Sequence, residues 1–276
     1  MIDATGRDID HIRISLTNRC NLDCFYCHKE GNLSDEEMDT SYVKNLLGNA
    51  RSLGISEVKF TGGEPLLRED ICEIIEKAVS LGFSYIGLTT NGTLLEEKAH
   101  LLREAGLKRV NIGCDSIGDA LPKNAGRLKK GILSARQEGM SVKLNMVILK
   151  GINDSQVEEM LGFCRKNKVN LQLIELMPDK DTEHLYMPLD EIEHTISMQA
   201  DITITRKMQN RKRYFLDGIF IETVRPGTDF CRHCTKIRIS CDGKIKECLR
   251  KQTFLDYKDK VSLKEAIEGR VAYGYG

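Results

Sequence analysis

The sequence has no excess of either charge and no long apolar run. Its 276 residues contain 41 Lys and Arg against 41 Asp and Glu, so the formal net charge is zero. A balanced charge provides no long-range attraction to nucleic acid or to an anionic membrane, so we expect neither as a partner; a local basic pocket is still compatible with it. No apolar segment approaches the ~18 residues that a membrane-spanning helix needs.

The amino-terminal segment also lacks the apolar core of a signal peptide, because residues 1–11 are largely polar. We therefore expect a cytoplasmic location. Repeats and low-complexity segments are absent as well, and 41% hydrophobic with 30% charged residues is ordinary for a globular protein. The length suits one large domain, or one domain with an appendage.

Against this ordinary composition, ten cysteines need an explanation. Disulfides are disfavoured in a reducing compartment, whereas clustered cysteines favour metal ligation. The six clustered cysteines are Cys20, Cys24, Cys27, Cys231, Cys234 and Cys248. The four scattered ones, which we predict to be small buried apolar side chains, are Cys72, Cys114, Cys164 and Cys241.

The first 177 residues alternate between β-rich runs and helical patterns. One apolar pattern predicts a helix with Thr40 as its cap and Gly54 as its stop. Strands that recur roughly every thirty residues predict a parallel sheet of βα units, with chemistry at the carboxyl ends of the strands. Periodicity leaves open whether that sheet is flat or curled. The predicted strands are 12–16, 57–61, 85–90, 109–114, 142–149 and 170–177.

From about residue 178 the pattern changes, which divides the chain into residues 1–177 and a carboxy-terminal region, 178–276. Short helices are predicted at 188–199 and 262–269. Two Asp-Gly pairs, Asp217-Gly218 and Asp242-Gly243, predict hairpins with type I′ turns.

Cys20, Cys24 and Cys27 follow directly on the first predicted strand with the spacing CxxxCxxC. Three thiolates on one loop can ligate three irons of a [4Fe–4S] cube and leave the fourth iron open. A zinc site completed by His28 is the alternative, but this spacing is not that of the usual zinc frameworks. A position at a strand end favours catalysis.

The segment Thr-Gly-Gly-Glu-Pro, residues 61–65, stands at the end of the second predicted strand. Its two glycines allow close approach of a ligand to the backbone, and Glu64 is a suitable acceptor for an ammonium group. Together with CxxxCxxC, it resembles the motifs of the radical S-adenosylmethionine (SAM) superfamily, in which GGEP binds the SAM amino group. The resemblance implies an α/β fold, a partial (β/α)₆ TIM-type barrel. It also implies a 5′-deoxyadenosyl radical that abstracts hydrogen from a substrate.

Cys231, Cys234 and Cys248 form a second three-cysteine set, and the hairpin at Asp242-Gly243 is expected to bring Cys248 toward the other two. On spacing alone, a zinc site completed by His233 is as consistent as a cluster. The surrounding residues, 230–239, 242–244 and 247–249, resemble the carboxy-terminal cluster motif of the GTP 3′,8-cyclase (MoaA) family of molybdenum cofactor biosynthesis. Similar segments are 13–20, 89–92, 143–147 and 150–153, and 210–215 resembles the archaeal branch.

The resemblance implies that GTP is converted to (8S)-3′,8-cyclo-7,8-dihydroguanosine 5′-triphosphate. The cofactors that the resemblance implies are SAM and two [4Fe–4S] clusters. The second cluster would lie in a carboxy-terminal α+β extension, and its open iron would hold guanine. SAM and the clusters carry the chemistry, so no catalytic side chain is assigned. The implied partners are a reductant such as ferredoxin or flavodoxin, and a downstream cyclic pyranopterin monophosphate synthase. The alternatives are a radical SAM maturase that modifies a peptide, and a metal-stabilised binding module, which leaves GGEP unexplained.

The family's binding positions carry over residue by residue. The implied SAM contacts are Tyr26, Gly62, Gly63, Glu64, Gly113 and Met177. The implied GTP contacts are Arg13, Lys59, Thr89, Lys143, Lys236 and Arg238. Several cations suit a triphosphate, and we expect those on the barrel strands to face Lys236 and Arg238 across the cavity mouth.

The chain departs from the family pattern at several of these positions. Gly113 stands where the family has a serine, and Lys236 where it has an arginine. Gln172 and Glu57 stand where it has basic residues. The segment 118–126 is short, and residues 273–276, Tyr-Gly-Tyr-Gly, replace a tail of two adjacent glycines. These departures concern the binding of SAM and of the triphosphate.

Overall fold

The structure, a computed structural model, describes residues 1–28, 30, 34–117, 125–249, 251 and 253–271. Most of the short segment at 118–126 and the tail at 273–276 therefore lie outside the described residues. The strands are β1 His11–Ser15, β2 Glu57–Thr61, β3 Tyr85–Thr90, β4 Arg109–Gly113, β5 Ser141–Ile148, β6 Asn170–Glu175, β7 Ile202–Thr205, β8 Lys212–Leu216, β9 Ile219–Val224, β10 Lys236–Ile239, β11 Lys244–Lys246 and β12 Leu255–Asp256. The helices are α1 Thr40–Ser52, α2 Ile71–Ser80, α3 Leu95–Glu104, α4 Ala125–Gln137, α5 Val157–Asn167, α6 Asp190–Gln199, α7 Thr228–Arg232 and α8 Lys260–Glu268. Within the part of the chain that the structure describes, no helix has the length and apolar character needed to cross a bilayer.

The twelve strands of the described residues form one sheet, in the order β12-β11-β10-β1-β2-β3-β4-β5-β6-β9-β8-β7. The six strands predicted from the sequence are β1 to β6, with ends within two residues of the prediction, and they are parallel neighbours. The carboxy-terminal region extends both edges, because β10 pairs in parallel with β1 and β9 with β6. The α/β fold with a carboxy-terminal extension is confirmed.

Contacts between the two ends of this strand order show that the sheet is curled. Gln209, which precedes β8, lies with its Oε1 atom 3.2 Å from Nζ of Lys236 on β10. Its backbone N–H also donates to the carbonyl oxygen of His233 at 2.7 Å. In a flat sheet, these residues would be separated by the width of the strands between them. The arrangement is that of a partial barrel.

Apolar and polar side chains alternate along the parallel strands. On β1, Ile12 and Ile14 are fully buried in the core shared with the helices, whereas Arg13 between them lines an internal cavity. Parallel strands covered on both faces usually carry continuous apolar runs. The polar alternation therefore marks the concave face of the barrel as a binding surface rather than a second core.

Two local predictions need correction. Asp39, not Thr40, caps α1. Asp39 has an extended backbone, its carboxylate accepts the N–H of Tyr42 at 2.7 Å, and Thr40 is the first helical residue. At the first hairpin, Asp217 and Gly218 both have positive φ, as a type I′ turn requires. At the second hairpin, Gly243 has positive φ but Asp242 does not, and the Gly243 N–H donates to the carbonyl oxygen of Ser240 at 3.0 Å. This turn is therefore longer than a two-residue loop and is not type I′.

The four scattered cysteines are mostly interior residues. Cys114, Cys164 and Cys241 are buried, and Cys72 is half-buried on α2. Burial raises the pKa of Cys114 and Cys164 to about 12 and that of Cys241 to about 11. The prediction of small buried side chains is confirmed for Cys114, Cys164 and Cys241, and it is wrong for Cys72, which is only half-buried.

Arg68 is a buried cation that connects β1, α1 and the start of α2. It donates to the carbonyl oxygens of Leu16 (3.0 Å) and Met38 (2.8 Å) and to the carboxylate of Asp70 (2.8 Å).

We expect Arg68→Met to lower the free energy of unfolding by about 2–4 kcal/mol, because it leaves buried acceptors unpaired. Denaturant unfolding of the metal-free protein measures this. The exposed Arg127→Met is the control, and an equal, small effect of both substitutions would contradict the prediction.

Candidate functional site

A cavity of about 310 Å³ on the concave face reaches both cysteine sets. The predicted site residues that line it are Arg13, Tyr26, Cys27, Met177, Cys231, Cys234, Lys236, Arg238 and Cys248. Those that do not line it are Cys20, Cys24, Lys59, Gly62, Gly63, Glu64, Thr89, Gly113 and Lys143. Two sequence segments more than 200 residues apart therefore share one cavity.

The loop that leads into the first cysteine set lies directly against the GGEP segment. Gly63 donates its N–H to the carbonyl oxygen of Thr17 at 2.7 Å, and Glu64 donates to that of Arg19 at 2.8 Å. A Cβ atom on Gly62 would come within 2.5 Å of the Thr17 oxygen, and one on Gly63 within 2.3 Å of the Arg19 oxygen. The close approach that these glycines permit in the structure is that of the cysteine loop itself.

Glu64 joins the ends of β2 and β3. Its fully buried carboxylate accepts the N–H groups of Leu66 (3.0 Å) and Asn91 (2.6 Å) and the hydroxyl of Thr90 (2.7 Å). Burial raises the pKa of Glu64, and these hydrogen bonds offset only part of the increase. The side chain of Asn91 in turn lies 3.9 Å from Sγ of Cys20. Glu64 thus orders the surroundings of the first cysteine set, and its contact with an ammonium group remains a prediction.

Tyr26 is anchored by a carboxylate that the sequence analysis did not identify. Its hydroxyl donates to Asp115, which also accepts the N–H of Val147 at 2.8 Å. Burial raises the pKa of Asp115 to about 7. Gly113, two residues earlier, is exposed at the end of β4, and a Cβ atom there would have its nearest neighbour, the Thr90 oxygen, at 3.9 Å.

Arg13 and Arg238 are register partners on neighbouring strands and share one carboxylate, Glu30. Nη1 of Arg238 lies 2.9 Å from Glu30, and Arg13 donates to the same carboxylate. Burial opposes ionisation, but the two arginines outweigh it and hold the pKa of Glu30 well below its usual range. The expectation that these arginines face each other across the cavity mouth is wrong, because β10 joins the sheet beside β1.

A second buried carboxylate, Glu222 on β9, gathers another group of cations. Lys143 (3.3 Å), Arg206 (3.4 Å) and Arg211 (2.5 Å) surround it. Although burial favours the neutral acid, these cations hold the pKa of Glu222 at about 2. Burial lowers the pKa of Lys143 to about 8, with Glu222 opposing the shift. Neither Arg211 nor Glu222 was predicted from the sequence as a site residue. Arg211 lies in the segment 210–215, which resembles the archaeal branch of the family.

The two groups of cations are close enough to affect one another. Burial and repulsion from Lys143, Arg13 and Lys236 hold the pKa of Lys59 well below its ordinary value. Thr89 has a buried hydroxyl without a hydrogen-bond partner among the described residues, and the same is true of the Gln172 side-chain oxygen. Clustered cations and unpartnered polar groups are what a polar anionic ligand would satisfy.

Gln172 and Glu57, which stand where the family pattern has basic residues, lie in different parts of the structure. Gln172 is buried in the cavity wall, beside Glu222 in the register of β6 and β9. Glu57 begins β2 and lies 3.1 Å from Nδ1 of His11, at the amino end of the strands. Only Gln172 is therefore placed to touch a ligand in the cavity.

The second cysteine set lines the cavity with all three of its members. Cys231 and Cys234 flank the end of α7, and Cys248 follows β11. Burial opposes ionisation of Cys234, but Lys236 and Arg270 outweigh it and lower the pKa of this thiol. Three thiols on one cavity wall, one of them favoured as thiolate, fit an iron–sulfur cluster. Among the described residues, no three His, Cys, Asp or Glu side chains lie close enough to hold a single metal ion.

Comparison with known proteins agrees with both halves of this site. Residues 14–164 match the model of the radical SAM superfamily, and residues 169–271 match that of Molybdenum Cofactor Synthesis C. A probable GTP 3′,8-cyclase of Methanothermobacter marburgensis is 42% identical, over 94% of this chain and 91% of the relative. A probable GTP 3′,8-cyclase of Methanocaldococcus jannaschii is also 42% identical, over 90% of this chain and 88% of the relative.

Solved structures with similar folds bind SAM. Streptococcus suis SuiB bound to S-adenosylmethionine superposes with a TM-score of 0.72 at 17% identity, over 91% of this chain and 64% of SuiB. Native anSMEcpe with bound AdoMet gives a TM-score of 0.68 at 16% identity, over 94% of this chain and 80% of anSMEcpe. At such identities the likeness shows the fold alone. The family models and the curated relatives go further: the chain belongs to the radical SAM superfamily and, within it, to the GTP 3′,8-cyclase family, whose members use SAM and iron–sulfur clusters.

Proposed function

We propose that this enzyme is a GTP 3′,8-cyclase, a lyase that carries out the first step of molybdenum cofactor biosynthesis. The observation that supports this most directly is the single cavity that reaches both cysteine sets and has a cationic wall. A peptide maturase would not need that concentration of buried cations, whereas a nucleoside triphosphate would.

The first cysteine set and its neighbours would hold the SAM-binding cluster. Cys20, Cys24 and Cys27 would ligate it, and the SAM contacts would come from Tyr26, Gly62, Gly63, Glu64, Gly113 and Met177. When bound, this cluster and SAM supply the 5′-deoxyadenosyl radical that removes hydrogen from the substrate ribose. The packing of the cysteine loop on Gly62 and Gly63 keeps the ligating and SAM-binding segments in one position.

The remaining part of the cavity would hold GTP. Cys231, Cys234 and Cys248 would ligate the second cluster, at which the guanine would be held. The triphosphate would be bound by Arg13, Lys236 and Arg238, which line the cavity. Further proposed GTP contacts are Lys59, Thr89 and Lys143, which are not among the lining residues. Glu30 and Glu222 keep several of these cations in fixed positions before a ligand arrives. Fixed cations reduce the ordering that binding requires, and a firmly held ribose prevents the radical from reacting elsewhere.

We also propose a matching division of the chain. Residues 1–177 would form the SAM-binding barrel, and residues 178–276 would supply the second cluster and the strands at both edges. We further propose a cytoplasmic location, a reductant such as ferredoxin or flavodoxin, and a cyclic pyranopterin monophosphate synthase as the consumer of the product.

The direct test is anaerobic incubation of the reconstituted protein with SAM, reductant and GTP, followed by product analysis. The expected result is formation of 5′-deoxyadenosine together with the cyclised nucleotide. A reaction without GTP measures uncoupled SAM cleavage. If 5′-deoxyadenosine forms while GTP is recovered unchanged, the proposed substrate is wrong.

Removing one cysteine from each set separates their roles. Cys24→Ala is expected to abolish SAM cleavage, because the first cluster supplies the electron. Cys234→Ala is expected to leave uncoupled SAM cleavage but no cyclised product. Iron and sulfide should be about eight each per chain in the wild type and about four in each variant. Equal loss of SAM cleavage in two folded variants, or zinc in the second site, would contradict this assignment.

Arg238→Ala tests the cationic wall. Loss of a charge-assisted contact is expected to weaken GTP binding roughly 10- to 150-fold, with SAM binding nearly unchanged. Lys244→Ala, at an exposed cation on β11, is the matched control. Titrations with GTP, GDP and guanosine measure the effect. If the wild type binds guanosine as tightly as GTP, the cations do not form a triphosphate site.

Gly113→Ser tests the departure at the SAM site. The space around Gly113 accommodates a Cβ atom, so the variant is expected to fold normally. A new hydroxyl contact worth about 1 kcal/mol would tighten SAM binding roughly fivefold. Equilibrium binding of SAM to the reconstituted protein measures this, with Gly113→Ala as the control for the added volume. Equal SAM binding by Gly113→Ser and Gly113→Ala would show that a hydroxyl at position 113 makes no contact with SAM.

A further inference from the structure

Asp3, close to the start of the chain, lies at the centre of a buried ion cluster with Arg7 and Arg270. Its carboxylate accepts from Nε of Arg7 at 2.8 Å and from Nη1 of Arg270 at 3.0 Å. The Asp3 side chain is fully buried, and the side chains of Arg7 and Arg270 are only 10% and 4% exposed. Burial opposes ionisation, but the hydrogen bonds from Arg7 outweigh it and lower the pKa of Asp3 to about 2.

Both arginines donate onward to the backbone of the second cysteine set. Nη1 of Arg7 lies 2.9 Å from the carbonyl oxygen of Cys231. Nη1 of Arg270 lies 3.2 Å from the carbonyl oxygen of Cys234, and its Nε atom 3.0 Å from that of Glu247, the residue before Cys248. Each of the three cysteine positions is therefore reached by one of the two guanidinium groups.

The two arginines are themselves firmly placed. Two hydrogen bonds close a tight turn between Asp3 and Arg7: the Asp3 N–H donates to the carbonyl oxygen of Arg7 at 2.9 Å, and the Arg7 N–H donates to the Asp3 carboxylate at 3.0 Å. Arg270 lies two residues beyond the end of α8, whose Leu263 and Ile267 are buried in the main core. The segment that carries Cys231 and Cys234 has only the five-residue helix α7. Contacts from outside are therefore needed to fix it.

We propose that Asp3, Arg7 and Arg270 form a clamp that positions Cys231, Cys234 and Cys248 to ligate the second cluster. The three are positioning residues: Asp3 holds the arginines, and the arginines hold the cysteine backbone. Partners of this kind around metal ligands typically change metal affinity by about 10- to 100-fold when removed. The inference rests on the second cluster of the proposed function.

The test is Asp3→Asn, which leaves two buried guanidinium groups without their counter-charge. After anaerobic reconstitution, iron is expected to fall from about eight to about four per chain. Uncoupled SAM cleavage should persist, because the first cluster is untouched. Under the proposed function, GTP is expected to change the electron paramagnetic resonance spectrum of the second cluster in the wild type, and this change should be absent in Asp3→Asn. Asp3→Glu keeps the charge and should restore most of the lost iron. Asp8→Asn, at an exposed ion pair with the amino terminus, is the matched control and should keep the full iron content.

A folded Asp3→Asn with wild-type iron and an unchanged response to GTP would overturn the clamp. If that variant does not fold, Arg7→Gln decides, since it removes the contact to Cys231 and the ion pair of Arg7 with Asp3 but leaves Asp3 paired with Arg270. We expect half of its iron to be released to a chelator at least ten times faster than in wild type. Unchanged release, or uniformly faster release of all the iron, would overturn the proposal. These measurements count iron without GTP turnover, so failure of the cyclase assay alone leaves them valid.

Discussion

Charges buried inside a protein need partners, and this requirement shapes the interior of the barrel. Arg13 and Arg238 are held by Glu30, while Lys143 and Arg211 are held by Glu222. Two carboxylates against a larger number of cations leave a positive excess. Burial, together with repulsion from this excess, holds the pKa of Lys59 well below its ordinary value. An anionic ligand would relieve that repulsion, and the fold holds the cations in place until one is bound.

The same principle of fixing one segment through another recurs around the cysteines. At the first set, the absence of side chains on Gly62 and Gly63 lets the backbone of Thr17 and Arg19 pack against the GGEP segment. The second set is fixed by charged side chains instead, since two arginines paired with Asp3 donate to the backbone carbonyl oxygens of Cys231 and Cys234. Loops that carry metal ligands have few apolar contacts of their own, so their position depends on such neighbours.

Sequence reasoning was most successful where the determinant is local. Hydrophobic periodicity predicted the six parallel strands, and Asp217-Gly218 predicted its own turn, because these depend on neighbouring residues. It was less successful where two local candidates compete, as with Asp39 and Thr40 at the start of α1. The partners Glu30, Glu222 and Asp3 were not predicted, because isolated acidic residues are usually solvated and no spacing distinguishes the buried ones.

The sequence by itself determined the βα order, both three-cysteine sets and the family resemblance, since each of these depends only on short motifs or on hydrophobic periodicity. Only the tertiary structure decided which side chains share the cavity. The β10 strand joins beside β1, so Arg238 becomes a neighbour of Arg13 rather than its opposite. That pairing, like the meeting of Asp3 with Arg270, joins residues more than 200 positions apart. Contacts at such separations depend on how the whole sheet curls, which no local pattern records.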